Sequence, residues 1–242
     1  MRSSLFATLV TGLGLTLMST VDVYATAVAA DDASVKVTPQ EMKWLRAGWP
    51  VLNYAEEQHL PIDIVVLPKT VPGDVPFSMR VDNGRCQLVL SMRGNPATES
   101  ILANMPAELQ DIAIEAMTAH EVAHCWRYMN GTWHVLPAGF IDGEQDATNS
   151  KLAALQRAMR DTRREEGFAD LVGLAWTMRA HPEQYAAIHS WFEQVRADQP
   201  TMGGHHDTRI WLELATQPQD FPIVGTPFEQ AQSLWVEGLR VP

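Results

Sequence analysis

The chain has 242 residues, 46% of them hydrophobic and 19% charged, with a formal net charge of −11 at pH 7. That balance is ordinary for a globular fold and excludes a low-complexity or highly charged disordered chain. The negative charge argues against nucleic acid and anionic membrane surfaces as partners.

Residues 1–30 read as an export signal. Arg2 supplies the positive start, residues 5–18 the apolar stretch, and Ala25, Ala27, Ala29 and Ala30 the small residues of a cleavage site. The stretch is short against the roughly 20 apolar residues of a membrane span. Cleavage is therefore expected, with a retained anchor as the alternative, and no later run is apolar enough to span. Losing the segment removes Arg2 and Asp22 together, so the net charge is unchanged. The expectation is an exported, periplasmic or secreted protein without stable membrane insertion, with one domain over 31–242.

Thr38-Pro39-Gln40-Glu41 has the form of a capping box with proline at the first helical position. The helix it starts is expected to carry Met42, Leu45, Trp49, Leu52 and Tyr54 in its apolar share, and to break or kink at Pro50. Residues 62–67, between Pro61 and Pro68, form a β-rich run. Residues 77–92 read as a hairpin turning on Asp82-Asn83-Gly84. Its returning strand holds Cys86, and the only other cysteine is Cys125. In an oxidising compartment the two can pair, closing a loop of about 40 residues for roughly 3–4 kcal/mol. Two buried thiols are the alternative.

Helical periodicity returns over 106–129 and ends at Asn130-Gly131, where glycine suits the left-handed position after a helix. A stripe of Leu109, Ile112, Ala113 and Ala116 leads into Ala119-His120-Glu121-Val122-Ala123-His124-Cys125-Trp126. His120 and His124 project from one helix face, one turn apart. At that spacing two imidazoles can grip one Zn²⁺, each at about 2.0–2.1 Å. Glu121 is offset around the helix, where it reaches a metal-bound water rather than the metal. The pattern is H-E-x-x-H, two ligands plus a general base. Cys125 lies roughly 100° around the helix from His124, which sets it aside as a ligand.

Catalytic zinc usually takes three protein ligands. A metzincin-type third histidine would need Gly and His where the chain has Arg127 and Asn130. Asp142 and Asp146 remain candidates in the loop 132–149, whose Trp133 and Phe140 either contact a substrate or pin the loop to the core. A long helix expected over 150–180 offers Glu165-Glu166-Gly167-Phe168-Ala169-Asp170, where its charged first half gives way to an apolar one. Glu166 and Asp170 are again one turn apart. Glu166 can bind zinc while Asp170 accepts the N–H of a ligand histidine and fixes its tautomer. Gly167 costs helix stability relative to alanine, which a close approach to the histidine-bearing helix would explain. Three helices complete the chain, over 182–197, 207–216 and 227–239.

H-E-V-A-H followed by E-G-F-A-D resembles the gluzincin zinc metallopeptidases. The pattern is closest to soluble periplasmic relatives of the prenyl-protein (CAAX) endopeptidase branch, and the resemblance covers roughly residues 108–175. It implies one Zn²⁺ per chain held by His120, His124 and Glu166, with Glu121 as base and Asp170 behind a ligand histidine. It also implies an α+β, zincin-like fold: a small, mainly antiparallel sheet packed on the active-site helix, then a mostly helical C-terminal half. The strand at 86–92 would be the edge bordering the cleft, pairing with an extended substrate backbone. His205 or His206 with Arg209 resembles, at shorter spacing, a His and Arg-Ile element of the branch, and a donor there would stabilise the oxyanion. A solvated turn capped by Asp207 is the alternative. The implied activity is zinc-dependent hydrolysis of peptide or protein substrates, with no prenyl group implied. The alternatives are an exported zinc-binding protein without peptidase activity, and a helical binding module without zinc.

Overall fold

In this computed structural model, which describes residues 36–140, 149–197 and 204–240, the first element is α1 (Pro39–Glu57). The expected signal segment, Asp142 and Asp146 lie outside the described residues. The Thr38 hydroxyl accepts the Glu41 N–H at 3.3 Å, and the Glu41 carboxylate accepts the Thr38 N–H at 2.7 Å. The same fully buried carboxylate also accepts Arg93 Nε–H at 2.8 Å, tying the helix start to the segment after the sheet.

The expected apolar share of α1 is corrected at Trp49, which is 41% exposed. Leu45, Leu52 and Tyr54 do pack, partly buried, against the core, but the buried stripe itself is Trp44, Gly48, Val51 and Ala55. Spacings of four, three and four residues place those residues on one stripe, and Gly48 sets its direction, because a Cβ there would run into Thr118 of the next long helix. The helix also continues through Pro50. Pro50 and Arg46, whose carbonyl loses its usual donor, are both exposed, so the missing N–H falls on the solvent side of the helix.

The sheet has strands β1 (Ile62–Val66), β2 (Phe77–Asp82) and β3 (Arg85–Leu90) in the order β1-β3-β2. Asn83 and Gly84 form the two-residue hairpin turn with φ of 49° and 77°, the positive values that turn demands. β2 pairs antiparallel to β3, but β1 pairs parallel to it. The sheet is therefore mixed rather than mainly antiparallel, and β3 is central rather than an edge. Cys86, Leu88 and Leu90 are fully buried, which suits a strand hydrogen-bonded on both sides. The edge beside the histidine-bearing helix is β2.

Five helical elements follow before the last helix: α2 (Ala97–Ser100), α3 (Ala107–Met129), α4 (Ser150–Ala180), α5 (Tyr185–Ala197) and α6 (Arg209–Leu214). The chain then closes with α7 (Pro227–Gly238), and among the described residues the fold is α+β. Residues 182–184, expected as the start of α5, form a separate 3₁₀ turn. α3 is the central helix, packed between α1, α4 and the sheet. Ala113, Ala116, Ala119 and Ala123 keep it thin enough for that position. Gly173 provides the close contact with α4, since a Cβ there would stand 2.9 Å from the Ala116 carbonyl oxygen. Gly167 serves a different neighbour from the one expected: the Trp211 ring of α6 lies directly over it.

Of the two readings left open for the cysteines, the structure has the disulfide. Cys86 on β3 is bridged to Cys125 on α3, with Cα atoms 5.8 Å apart. The bridge fixes the helix to the sheet beside His124. Among the described residues, no helix is long and apolar enough to cross a membrane.

Candidate metal centre

His120 and His124 on α3 and Glu166 on α4 converge. One ligand atom from each lies within 4.8 Å of the others. The two imidazole Nε2 atoms are 3.2 Å apart, and each is 3.5 Å from a Glu166 oxygen. Three electron-pair donors thus face one point, and only a proton or a cation between them reconciles the arrangement. This group can hold a metal ion.

Protonation favours the same use. Burial pushes His124 down to about 4, so its ring is neutral at pH 7 with a free lone pair. Burial also opposes charge on His120, but the Asp170 hydrogen bond and the Glu166 charge outweigh it and raise its pKa. His120 Nδ1–H donates to Asp170 Oδ1 at 2.9 Å, which leaves Nε2 as the atom facing Glu166. Burial would raise Glu166, yet the His206 hydrogen bond and the nearby cationic groups hold it well below the usual carboxylate range.

Glu121 stands outside the ligand set but lines the same cleft. Its Oε2 accepts the Met79 N–H of the edge strand at 2.7 Å. Burial is the main force on it and lifts its pKa to about 7. A carboxyl poised near neutrality and held by backbone is suited to taking and returning a proton.

Asp170 is fully buried and saturated with donors. Its Oδ1 takes His120 Nδ1–H and Arg196 Nη2–H, the latter at 2.6 Å; its Oδ2 takes Arg196 Nε–H at 2.8 Å and the Thr208 hydroxyl at 2.6 Å. Against the cost of burial, Arg196 above all pulls its pKa down to about 2. Sequence reasoning missed both Arg196 and Thr208. For Arg196 a signal existed: Ile188, Phe192 and Arg196 recur every four residues on α5, so the arginine stands in an apolar stripe.

The downstream histidines divide. His206 lines the cleft, with Nδ1 3.2 Å from Glu166 Oε2, whereas His205 is exposed. Arg209 does not join the cluster. At the start of the six-residue α6 its guanidinium turns back to Asp207, donating at 2.7 and 2.9 Å, and it is not among the cleft residues. The neighbouring Thr208 points inward instead.

The cleft holds about 400 Å³. Opposite the polar group its walls are apolar, with Phe77 and Met79 from β2, Met117 from α3, and Trp191, Phe192 and Val195 from α5. Met117 lies one turn before His120 and Glu121, so it shares their helix face. Trp133 closes the other side, its ring edge-on to His124 with centroids 5.6 Å apart. Comparison with protein-family models, with curated proteins and with solved structures finds no match for this chain.

Proposed function

We propose that this protein is an exported zinc metalloendopeptidase with a zincin-like fold, in keeping with the gluzincin resemblance of its two motifs. The observation that carries the reading is the convergence of His120, His124 and Glu166 with Glu121 beside them but outside the ligand set. Two imidazoles and one carboxylate suit zinc and leave a coordination position free. When bound, zinc would supply a Lewis acid that polarises a carbonyl and acidifies a water.

Glu121 takes the proton of the attacking water and returns it to the leaving amine. Its Met79 hydrogen bond keeps the carboxylate aimed while the proton is in transit. His206, which lines the cleft, would supply the donor to a developing oxyanion. Arg209, bound to Asp207, has no part in this scheme.

β2 supplies the substrate edge. The Ser91 N–H donates to the Pro76 carbonyl at 2.9 Å, so the even-numbered residues of this strand bond to β3. Phe77, Met79 and Val81 then turn their backbone groups outward; the Met79 N–H is taken by Glu121, which leaves the Phe77 and Val81 groups and the Met79 carbonyl for an extended peptide adding as a further strand. The apolar walls favour a bulky aliphatic or aromatic side chain near the scissile bond. The net charge of −11 disfavours acidic peptides.

The test is zinc content and peptide hydrolysis for wild type beside Glu121→Gln. One zinc per chain in both proteins, with hydrolysis falling about 10²–10⁴-fold in the variant, is expected. Undiminished turnover in Glu121→Gln would remove the assigned base. Bound zinc with no hydrolysis of any peptide would make this a zinc-binding protein.

A further inference from the structure

Arg196 enters the site from α5, an element that contributes no metal ligand. It is 9% exposed, and its guanidinium is divided between two carboxylates on α4. Nε and Nη2 grip Asp170 as a fork, at 2.8 and 2.6 Å, and Nη2 also lies 3.2 Å from Glu166 Oε2. Nη1 stands 3.4 Å from His206 Nδ1. One side chain therefore touches a ligand, the carboxylate behind another ligand, and the cleft histidine.

We propose that Arg196 is a positioning residue of the metal centre, which sets His120 through Asp170 and sets Glu166 directly. The proposal rests on the metal-site reading above. A buried guanidinium needs a partner, but a single carboxylate suffices for that. Arg196 instead spans two carboxylates one helical turn apart, so its planar fork fixes the relative orientation of both. With the fork in place, Asp170 cannot rotate away from His120 without breaking three other bonds. Glu166 has one oxygen toward each histidine, and Arg196 shares with His206 the hold on Oε2 that keeps this division.

Removing Arg196 takes a positive charge away from beside the candidate ligands, which by charge alone favours a bound cation, so a loss of affinity would report lost orientation. Lysine at this position restores the charge but cannot reproduce the fork. The two effects can therefore be separated.

The experiment uses the full chain as wild type, Arg196→Met and Arg196→Lys, with folding checked by circular dichroism. Zinc affinity is read by competition with a chromophoric chelator, and ligand geometry from the visible spectrum after cobalt(II) replaces zinc. The expected result is a 10–100-fold weaker zinc affinity in Arg196→Met, partial recovery in Arg196→Lys, and an altered cobalt spectrum in both. A folded Arg196→Met protein with wild-type affinity and spectrum overturns the proposal. If Arg196→Met does not fold, Arg196→Lys decides: a wild-type cobalt spectrum overturns the proposal, and an altered one supports it. A wild-type chain that takes up no zinc or cobalt would instead overturn the metal-site reading and the proposal with it.

Discussion

Two arginines are buried beside the candidate centre, one on each side, and they are partnered differently. Arg127 on α3 is 2% exposed and donates from Nε and Nη2 to a single carboxylate, Glu165, at 2.6 and 2.9 Å. Its plane lies over the rings of Phe168 and Trp235, 5.1 and 4.4 Å from their centroids, and Nη2 also reaches the Thr132 carbonyl at 2.7 Å. Every one of these contacts is a structural one: the cation is enclosed by rings, and the pair pins residues 132–135 to α4. His134 N–H adds to that pin by donating to Glu165 at 2.8 Å. Arg196 has no such enclosure and opens on the cleft, with both of its carboxylates belonging to the metal group. Glu165 and Glu166 are neighbours in sequence, yet a 100° step around the helix sends one to each arginine. A buried charge tells little about function until its partners are known.

The largest expected effect breaks the comparison at those two glutamates. Glu166→Ala should abolish stoichiometric zinc while leaving a folded protein. Glu165→Ala should keep zinc and lose about 3–5 kcal/mol of unfolding free energy, because it leaves Arg127 buried without its counter-ion. Chelator competition and urea denaturation read the two quantities separately. Zinc retained in Glu166→Ala would place the third ligand elsewhere.

A second test uses Glu121, the one carboxylate of the centre that forms no hydrogen bond to either arginine. Its pKa in the metal-free folded chain is about 7, above its ordinary value of 4.5. The folded state therefore favours the protonated form. That contribution is complete below pH 4.5 and is lost as pH rises through 7. Metal-free Glu121→Gln should accordingly be more stable than wild type at pH 8, by up to about 3 kcal/mol, with the difference gone at pH 4. Urea unfolding with chelator present checks the sign, and a variant less stable at pH 8 would contradict it.

The smallest effect sharpens the structural side. Trp133 reaches His124 because Arg127 and Glu165 hold its loop. Trp133→Ala should cost about 1 kcal/mol, the size of one aromatic contact, and should leave zinc affinity unchanged. A tenfold loss of affinity would mean that the indole supports the ligand itself.

Much of the candidate centre was legible because its signals are local. A four-residue interval on a helix puts His120 with His124, and Glu166 with Asp170, on common faces whatever the rest of the chain does. The capping box at Thr38, the Asn83-Gly84 turn and the span of α4 are similarly short-range. What failed needed knowledge of a neighbour. Trp49 was placed in the apolar share of α1 because apolar residues surround the helix, and only the contact of Gly48 with Thr118 selects the Trp44 stripe. Arg209 was singled out because it stands near histidines in sequence, and Arg196 was missed because only the packing of α5 carries it to the site.

The sequence by itself determined the long helices, the hairpin and the two faces that carry the candidate metal-binding side chains, since hydrogen-bonding period and turn chemistry act over a few residues. Only the tertiary structure decided which face meets which. It placed β1 beside β3, made β2 the free edge, closed Cys86 onto Cys125, and brought Arg196 and Thr208 behind Asp170. Those outcomes depend on steric fit between surfaces far apart in the chain, and no short stretch of residues encodes that fit.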